Sequence, residues 1–347
     1  MRRSAKDASK DTGVKKEEEE QQEESPEPSL NGAAAAHVSL RKRANPGVAK
    51  RALAAAGIPP ALDWIAPETA LHYSEMGNQD KTAQVHPYLF TTSMATLAQE
   101  AGVRIIDDAT VTAITHDPGP DPDPSGSTTG IVRSVTYTRK APHTQPMTLR
   151  TTTVILAAGP WTPTLYPSVP MKTLRAHSIT IRPSRPVSAF ALFTEIELPK
   201  NYRGSRRPAN RAGAIVTPEI YARPNDEVYA CGEGDELSVL PASTDLVKVL
   251  PERTQEIVEQ VASVSDELRD GQVLVRQACY LPVLKVQGGP LIGWTALAGL
   301  LLATGHTCWG IQNGPGTGKL ISEFVFEGEA RSARIESLDP RRVLAGC

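Results

Sequence analysis

The chain has 347 residues, with 37 basic and 39 acidic side chains and a formal net charge of −2. This length suffices for one large domain or two ordinary ones. Because the charges nearly cancel, the composition gives no reason to expect nucleic acid or an anionic membrane surface as a partner.

Hydropathy and cysteine usage indicate a soluble, cytoplasmic chain with free thiols and no integral membrane segment. The longest apolar stretch, 291–303, is too short to span a bilayer and is interpreted as a core strand. The N-terminal residues do not resemble a secretory signal, and the four cysteines follow no close-spaced pattern. Histidines and cysteines also lack ligand spacing, so no metal site is expected.

The first 81 residues differ in composition from the rest. Residues 1–45 contain the acidic run Glu17–Glu20, and no aromatic residue precedes Trp64, so a disordered charged segment is predicted. The basic cluster 41–43 is either a targeting or anion-binding patch or a solvated run. Residues 46–81 are interpreted as a linker that begins with a short helix at 48–56.

Residues 82–114 have the pattern of half an α/β unit. A helix of about 12 residues is predicted to end near Gly102, followed by strands at 103–106 and 110–114. His86 precedes a proline at the start of this helix and is either catalytic or a capping and packing residue.

Strands and one exposed loop are predicted over residues 118–161. The turn-rich segment 118–129 is expected to be an exposed loop, and 130–139 is expected to pair with 147–151. The apolar run that starts at Val154 lacks alternation, which predicts a strand buried on both faces of a parallel sheet.

The middle of the chain predicts an antiparallel sheet inserted at about 172–250. The clearest signal is a hairpin that joins 219–223 to 227–231 through the turn 224–226. The basic connector 200–211 either binds an anion or is solvated. Residues 251–269 are predicted to form one amphipathic helix.

The stretch 300–319 is an apolar strand followed by a glycine-punctuated turn and a helix with apolar positions from Leu320 onward. An open helix start offers unpaired N–H groups and a positive dipole end, which suit a phosphate or a flavin carbonyl edge. The alternative is an ordinary loop between strand and helix. The C-terminal tail, 329–347, is expected to be frayed.

These blocks, in this order, resemble the D-amino-acid-oxidase-like family of FAD-dependent oxidoreductases, and most closely a fungal subgroup of it. The resemblance rests on 82–114, 154–161, the hairpin through Gly232, 276–293 and 304–319, and it covers about residues 60–328. It implies an α/β fold of mixed α+β character: a partial FAD-binding Rossmann-like domain at 82–328 with an inserted antiparallel β-sheet substrate domain.

The resemblance also implies which residues bind FAD. The strand that carries Val111 passes near the adenine, the run from Ala157 to Trp161 lies against the dinucleotide, and the turn from Gly305 covers the ribityl chain and isoalloxazine edge. The implied FAD-binding residues are Val111, Ala157, Ala158, Gly159, Trp161, Gly305, His306, Trp309, Gly310, Ile311, Gln312 and Thr317.

One departure from the family concerns the pyrophosphate. Family members carry Gly-x-Gly-x-x-Gly in an N-terminal βαβ unit, and no segment of this chain matches that pattern. We therefore expect an incomplete or truncated family member that binds FAD weakly or not at all. An unstable fragment is a further possibility, because lost strands would expose edges and apolar surface.

A second departure concerns the substrate. Amino-acid-oxidising members place an arginine just before the proline matching Pro282, whereas this chain has Leu281, with Arg276 nearby. This argues against an amino-acid substrate, and Tyr280 either faces the pocket or lies in the core. No catalytic residue is assigned.

Two functions remain open at this point. The first is oxidation of a C–N or related bond in a small, amine-like molecule, by hydride transfer to flavin. The alternative is a non-catalytic regulatory protein of endosome-to-Golgi traffic with trafficking partners, a role that the resemblance to some fungal relatives suggests.

Overall fold

The computed structural model describes residues 54, 57–118, 130–142, 144–198, 215–236, 239–286 and 289–344. The predictions made for 1–45, for the basic connector 200–211 and for nearly all of the loop 118–129 lie outside the described residues. The same holds for the short helix at 48–56, apart from Ala54.

The described helices, in chain order, are α1 (Pro87–Glu100), α2 (Thr162–Leu165), α3 (Pro251–Ala262), α4 (Asp266–Arg269), α5 (Gly310–Glu327) and α6 (Pro340–Leu344). The described strands are β1 (Ala109–Pro118), β2 (Gly130–Arg139), β3 (Met147–Arg150), β4 (Val154–Leu156), β5 (Met171–Arg182), β6 (Ala191–Phe193), β7 (Ile196–Glu197), β8 (Ile215–Val216), β9 (Glu219–Arg223), β10 (Glu227–Cys231), β11 (Gln272–Leu284), β12 (Leu291–Trp294), β13 (Leu297–Ala298) and β14 (Leu300–Thr304). None of these helices combines the length and apolar character needed to cross a membrane.

The antiparallel sheet has the strand order β11-β5-β10-β9-β6. The predicted hairpin β9–β10 is confirmed, with Tyr229 paired to Tyr221. The sheet reaches beyond the predicted insertion, because β11 pairs with β5 along almost its whole length. Helix α3 covers one face of this sheet through Ile257, Val258 and Val261.

The core under α3 includes residues from the segment interpreted as a linker. Leu62 and Trp64 are buried, and the Trp64 indole donates to Ser188 Oγ at 3.0 Å. Burying such apolar side chains stabilises a fold by about 1.5–3 kcal/mol each. The segment around Trp64 therefore packs as part of the folded body.

A smaller sheet has the order β12-β14-β4. Strands β4 and β14 are parallel, with Leu302 opposite Leu156. The predicted single core strand over 291–303 is wrong, because β12 turns back and pairs antiparallel with β14. Gly299 permits this reversal: its φ is +85°, and an added Cβ would lie 2.3 Å from the carbonyl oxygen of Thr152.

A third sheet joins β1, β2, β3 and β13, which confirms the predicted pairing of β2 with β3. The predicted strand at 103–106 is wrong, since these residues are irregular and both Val103 and Ile105 are exposed. A β-branched run becomes a strand only where a neighbour supplies hydrogen-bond partners, and no described strand does so for this run.

Two further predictions, one for the helix at 251–269 and one for the C-terminal tail, are wrong over the described residues. The single helix predicted for 251–269 is two helices, because Ser265 begins α4 by accepting a hydrogen bond from the Leu268 N–H at 3.3 Å. The tail is not frayed over the described residues: Ile335 and Pro340 are buried, and α6 packs against β12. Helix α1 is confirmed.

Candidate flavin-edge site

The parallel strands β4 and β14 end at the same edge of their sheet, where ligands of open α/β sheets bind. Hydroxyl groups tie the two ends together. Thr162 Oγ1 lies 3.0 Å from Thr304 Oγ1, and both hydroxyls lie within hydrogen-bond distance of the Gly159 carbonyl oxygen, at 2.8 and 3.3 Å. The structure thereby brings the run from Ala157 to Trp161 beside the turn that follows Thr304.

The backbone after β4 is open at two of the residues implied to bind FAD. Ala157 is exposed, and Gly159 has a φ of +52° with no atom within 4 Å of an added Cβ. Ala158 packs against the core, and the Trp161 indole donates to the Pro241 carbonyl oxygen at 2.7 Å. Ala157 and Gly159 can therefore accept close approach of a ligand, whereas Ala158 and Trp161 hold the turn in place.

Helix α5 begins at Gly310, earlier than the sequence predicted. Trp309, the N-cap residue, makes no capping hydrogen bond through its side chain. The N–H groups of Gly310, Ile311 and Gln312 lie in the first turn and so have no partner within the helix, and the N-cap side chain does not accept from them. They form an electropositive start that suits an electron-rich ligand edge.

The first half of α5 is rich in glycine. Gly314, Gly316 and Gly318 lie inside the helix, and an added Cβ at any of the three would meet no atom within 4 Å. Each glycine costs an exposed helix about 1 kcal/mol relative to alanine. These glycines weaken the helix, but they let a ligand or another segment of protein approach its backbone closely.

The turn before α5 is fixed from both sides. His306 Nε2 lies 2.9 Å from the hydroxyl of Thr317, which is buried, and burial lowers the pKa of His306. The Thr307 N–H donates to the Pro282 carbonyl oxygen at 3.2 Å, and Gly305 has a φ of +85°. The predicted residues from Gly305 to Thr317 thus form one connected turn and helix start.

Val111 lies apart from this group. It belongs to β1, pairs with Tyr137 and is 40% exposed. Strand β1 packs against α2, the helix that follows Trp161, so the strand approaches the site although Val111 itself is in another sheet.

The arginine and tyrosine near Pro282 do not form a ligand clamp. Arg276 donates to Thr254 Oγ1 at 2.9 Å and to Gln255 Oε1 at 3.1 Å, so it points toward α3. Tyr280 is buried, and its hydroxyl donates to the Val239 carbonyl oxygen at 3.2 Å. The core interpretation of Tyr280 therefore fits the structure.

Sequence reasoning missed a polar and aromatic surface on the antiparallel sheet. Strands β9 and β10 bury every second residue under α3, which leaves the alternate residues on the opposite face. We call these residues the open face: Glu219, Tyr221, Arg223, Glu227, Tyr229 and Cys231. A signal for this surface was present in the sequence. In the two segments Glu-Ile-Tyr-Ala-Arg and Glu-Val-Tyr-Ala-Cys, small or aliphatic residues alternate strictly with polar, aromatic or cysteine residues.

Apolar side chains of β4 and, separately, of α1 are uncovered. No residue of α1 is buried, and Tyr88 and Leu97 are strongly exposed. Ile155 in β4 is 47% exposed, so the prediction of a strand buried on both faces is wrong for the described residues. Among those residues, β4 pairs only with β14, which leaves its other edge free.

Comparison with known proteins assigns the fold. The model of the DAO family, described as FAD dependent oxidoreductase, matches residues 25–324. The chain belongs to this family. It is 37% identical over 302 residues to TDA3 of Saccharomyces cerevisiae, which is named as a candidate oxidoreductase; the match covers 82% of this chain and 55% of TDA3.

A second relative and one solved structure agree with this assignment. A candidate oxidoreductase of Schizosaccharomyces pombe, C1F5.03c, is 33% identical over 293 residues, with 82% of this chain and 70% of that protein covered. Glycine oxidase from Bacillus cereus has the same fold, with a TM-score of 0.51, 17% identity, and coverage of 73% of this chain and 58% of the oxidase. The chain thus spans only about half of the length of TDA3 and of this oxidase.

Proposed function

We propose that this chain is the flavin-edge and substrate half of an FAD-dependent oxidoreductase that oxidises a C–N or related bond of a small molecule. The observation that carries the proposal is the shared edge of β4 and β14, where the open backbone at Gly159 is hydrogen-bonded to Thr304, six residues before the uncapped start of α5 at Gly310. An uncapped helix start beside the ends of two parallel strands is suited to a dinucleotide cofactor.

The residues present fit the flavin part of FAD. The N–H groups of Gly310, Ile311 and Gln312 would donate to a carbonyl edge, and Ala157 and Gly159 would contact the dinucleotide through the backbone. Bound FAD supplies the hydride acceptor. The role of this chain is to orient that group, to stabilise negative charge at its edge and to position the substrate.

The pyrophosphate needs a further unit, and the uncovered surface indicates where that unit binds. Parallel sheets occur with both faces covered, yet Ile155 is 47% exposed and, among the described residues, one edge of β4 is free. We infer that a βαβ unit bearing Gly-x-Gly-x-x-Gly adds a parallel strand at this edge. The chain without that unit binds FAD weakly or not at all.

Complementation tests this proposal. The chain is co-expressed with the part of TDA3 that lies outside the 302-residue match, and the flavin absorbance of the purified protein is measured. We expect flavin to be retained with both parts and not with either alone. Ile155→Glu, at the β4 edge, should abolish the flavin retention that co-expression produces.

The matched control is Ile131→Glu in β2. Ile131 is 48% exposed and Ile155 is 47% exposed, so the two substitutions place the same charge at equally exposed isoleucines. Equal loss of flavin in both variants would contradict docking at β4. Flavin that is retained but never reduced by any member of an amine and amino-acid panel would favour the regulatory trafficking role.

A further inference from the structure

Among the described residues, one carboxylate of the open face, that of Glu219, has no cationic partner. The carboxylate of Glu219 accepts from the Tyr221 hydroxyl at 2.5 Å and from the Cys231 thiol at 3.8 Å. Burial, together with Glu219, raises the pKa of Cys231 to about 12 and raises that of Tyr221, so both groups remain protonated donors. Among the described residues, these contacts leave the negative charge of Glu219 uncompensated.

The cations of the same face are used elsewhere. Arg223 pairs with Glu227 at 3.1 Å and lies 4.3 Å from the centre of the Tyr229 ring. Arg182, at the end of β5, donates to Gln272 at 3.5 Å. By strand spacing, the Cα atom of Arg182 is about 16 Å from that of Glu219. A carboxylate-bearing substrate would therefore meet Glu219 without a free arginine from the described part of the chain to balance it.

Aromatic rings surround Glu219. Phe193 pairs with Glu219 across β6 and β9, and its ring stands edge-on to that of Tyr221 with centroids 6.0 Å apart. Phe193 is 50% exposed, so the ring is accessible. A carboxylate flanked by aromatic rings is a favourable setting for an ammonium group, which gains from both the ion pair and the ring quadrupole.

A second observation also points to a ligand on this face. Thr180, paired with Tyr229 on the neighbouring strand, is 4% exposed, and its hydroxyl has no hydrogen-bond partner among the residues that the structure describes. The Nδ1 atom of His86 is likewise buried without a partner, while its Nε2 lies 3.7 Å from Glu227. Leaving buried polar atoms unpaired costs stability, so their presence beside an open surface favours a polar occupant.

We propose that the open face selects a cationic amine that lacks a carboxylate, with Glu219 as the ammonium anchor and with Phe193 and Tyr221 flanking the group. This inference rests on the proposed function, because only an oxidoreductase would use the bound amine as its substrate. The binding itself needs no flavin. Leu281, where amino-acid-oxidising members have arginine, and the turning of Arg276 toward α3 agree with it.

The test uses the complete chain and three probes that share a phenyl ring. Saturation-transfer NMR and calorimetry measure the binding of 2-phenylethylammonium, 2-phenylethanol and L-phenylalanine. The ammonium compound should bind about tenfold or more tightly than the alcohol and the amino acid, the range expected for a hydrogen bond to a charged group. Glu219→Gln, which keeps an acceptor for Tyr221, should remove that preference.

Glu329→Gln is the control, because Glu329 is exposed and lies beyond α5. It should leave the preference unchanged. Equal affinity for the three probes, or an unaltered preference in Glu219→Gln, would overturn the inference. Circular dichroism of Glu219→Gln checks the fold, and Tyr221→Phe offers a second variant that should weaken ammonium binding. Because flavin retention is measured separately, failure of the proposed function would not be confused with failure of this selectivity.

Discussion

Thr162 and Thr304 lie 3.0 Å apart through their hydroxyl oxygens, and both residues are buried, at 0% and 2% exposure. This contact joins the turn after β4 to the end of β14, and it places the Gly159 carbonyl oxygen between them. The shape of the flavin-edge site therefore depends on two side chains that need not touch a cofactor.

Replacing Thr304 with valine should lower the free energy of unfolding by about 1–3 kcal/mol, because it leaves buried partners without a hydrogen bond. Urea unfolding measures the change. Thr92→Val on the exposed surface of α1 is the control and should stay within about 0.5 kcal/mol. A loss no larger than that of the control would show that the hydroxyl pair does not hold the two strand ends.

Alanine at Gly316 and Gly318 should stabilise the isolated chain by up to about 1 kcal/mol each, since both glycines lie in a helix with open space around them and neither precedes Pro315. Thermal unfolding measures this gain. In the complemented protein the same substitutions should reduce flavin retention, because added methyl groups would block close approach to the helix.

Gly328→Ala is the control for this pair. Gly328 has a φ of +88° at the C-terminal end of α5, so alanine there should destabilise the chain. Stabilisation at Gly316 and Gly318 without any loss of flavin would indicate that nothing approaches the first half of α5.

Acidification should destabilise the chain through His177. This side chain is 2% exposed, its Nε2 accepts from the Leu250 N–H at 3.1 Å, and burial and the charge of Arg175 lower its pKa. A base with a depressed folded-state pKa binds fewer protons folded than unfolded. Stability is therefore lost as the pH falls below about 6.5, the ordinary histidine value.

Urea unfolding between pH 7.5 and 5.5 tests this effect, and His177→Gln should flatten the dependence. His306, whose pKa is also lowered by burial, should contribute in the same direction. A free energy of unfolding that rises on acidification over this range would contradict the assignment.

Arg276→Met should leave ligand selectivity unchanged and lower the free energy of unfolding by about 1 kcal/mol, because the hydrogen bonds that Arg276 makes to described residues go to Thr254 and Gln255 of α3. The measurements are urea unfolding and the three-probe titration. If the variant changed the relative affinity for L-phenylalanine, Arg276 would have to reach the substrate after all.

Part of this structure could be predicted from the sequence. The hairpin β9–β10 carries alternation and a turn signal, and α1 begins with Pro87 and is followed by Gly102, whose φ is +93°, so local signals determined both. The start of α5 was misplaced because Gly314 and Gly316 disfavour a helix locally, whereas packing of Leu320 and Ile321 extends it.

The remaining differences depend on contacts between distant residues. The reversal at Gly299 follows from close approach to Thr152, and the orientation of Arg276 follows from its contact with α3. Neither relation is encoded in a short window. The open face was missed for a related reason: only the pairing of β9 with β10 and β6 brings Glu219, Tyr221 and Phe193 together.

The most direct test of the central claim is the flavin content of the purified chain, read from its absorbance beside that of the complemented protein. We predict that the chain alone is colourless and that the complemented protein carries about one FAD per chain. A chain that is yellow on its own, with stoichiometric flavin, would contradict the claim that a further unit at the β4 edge completes the site.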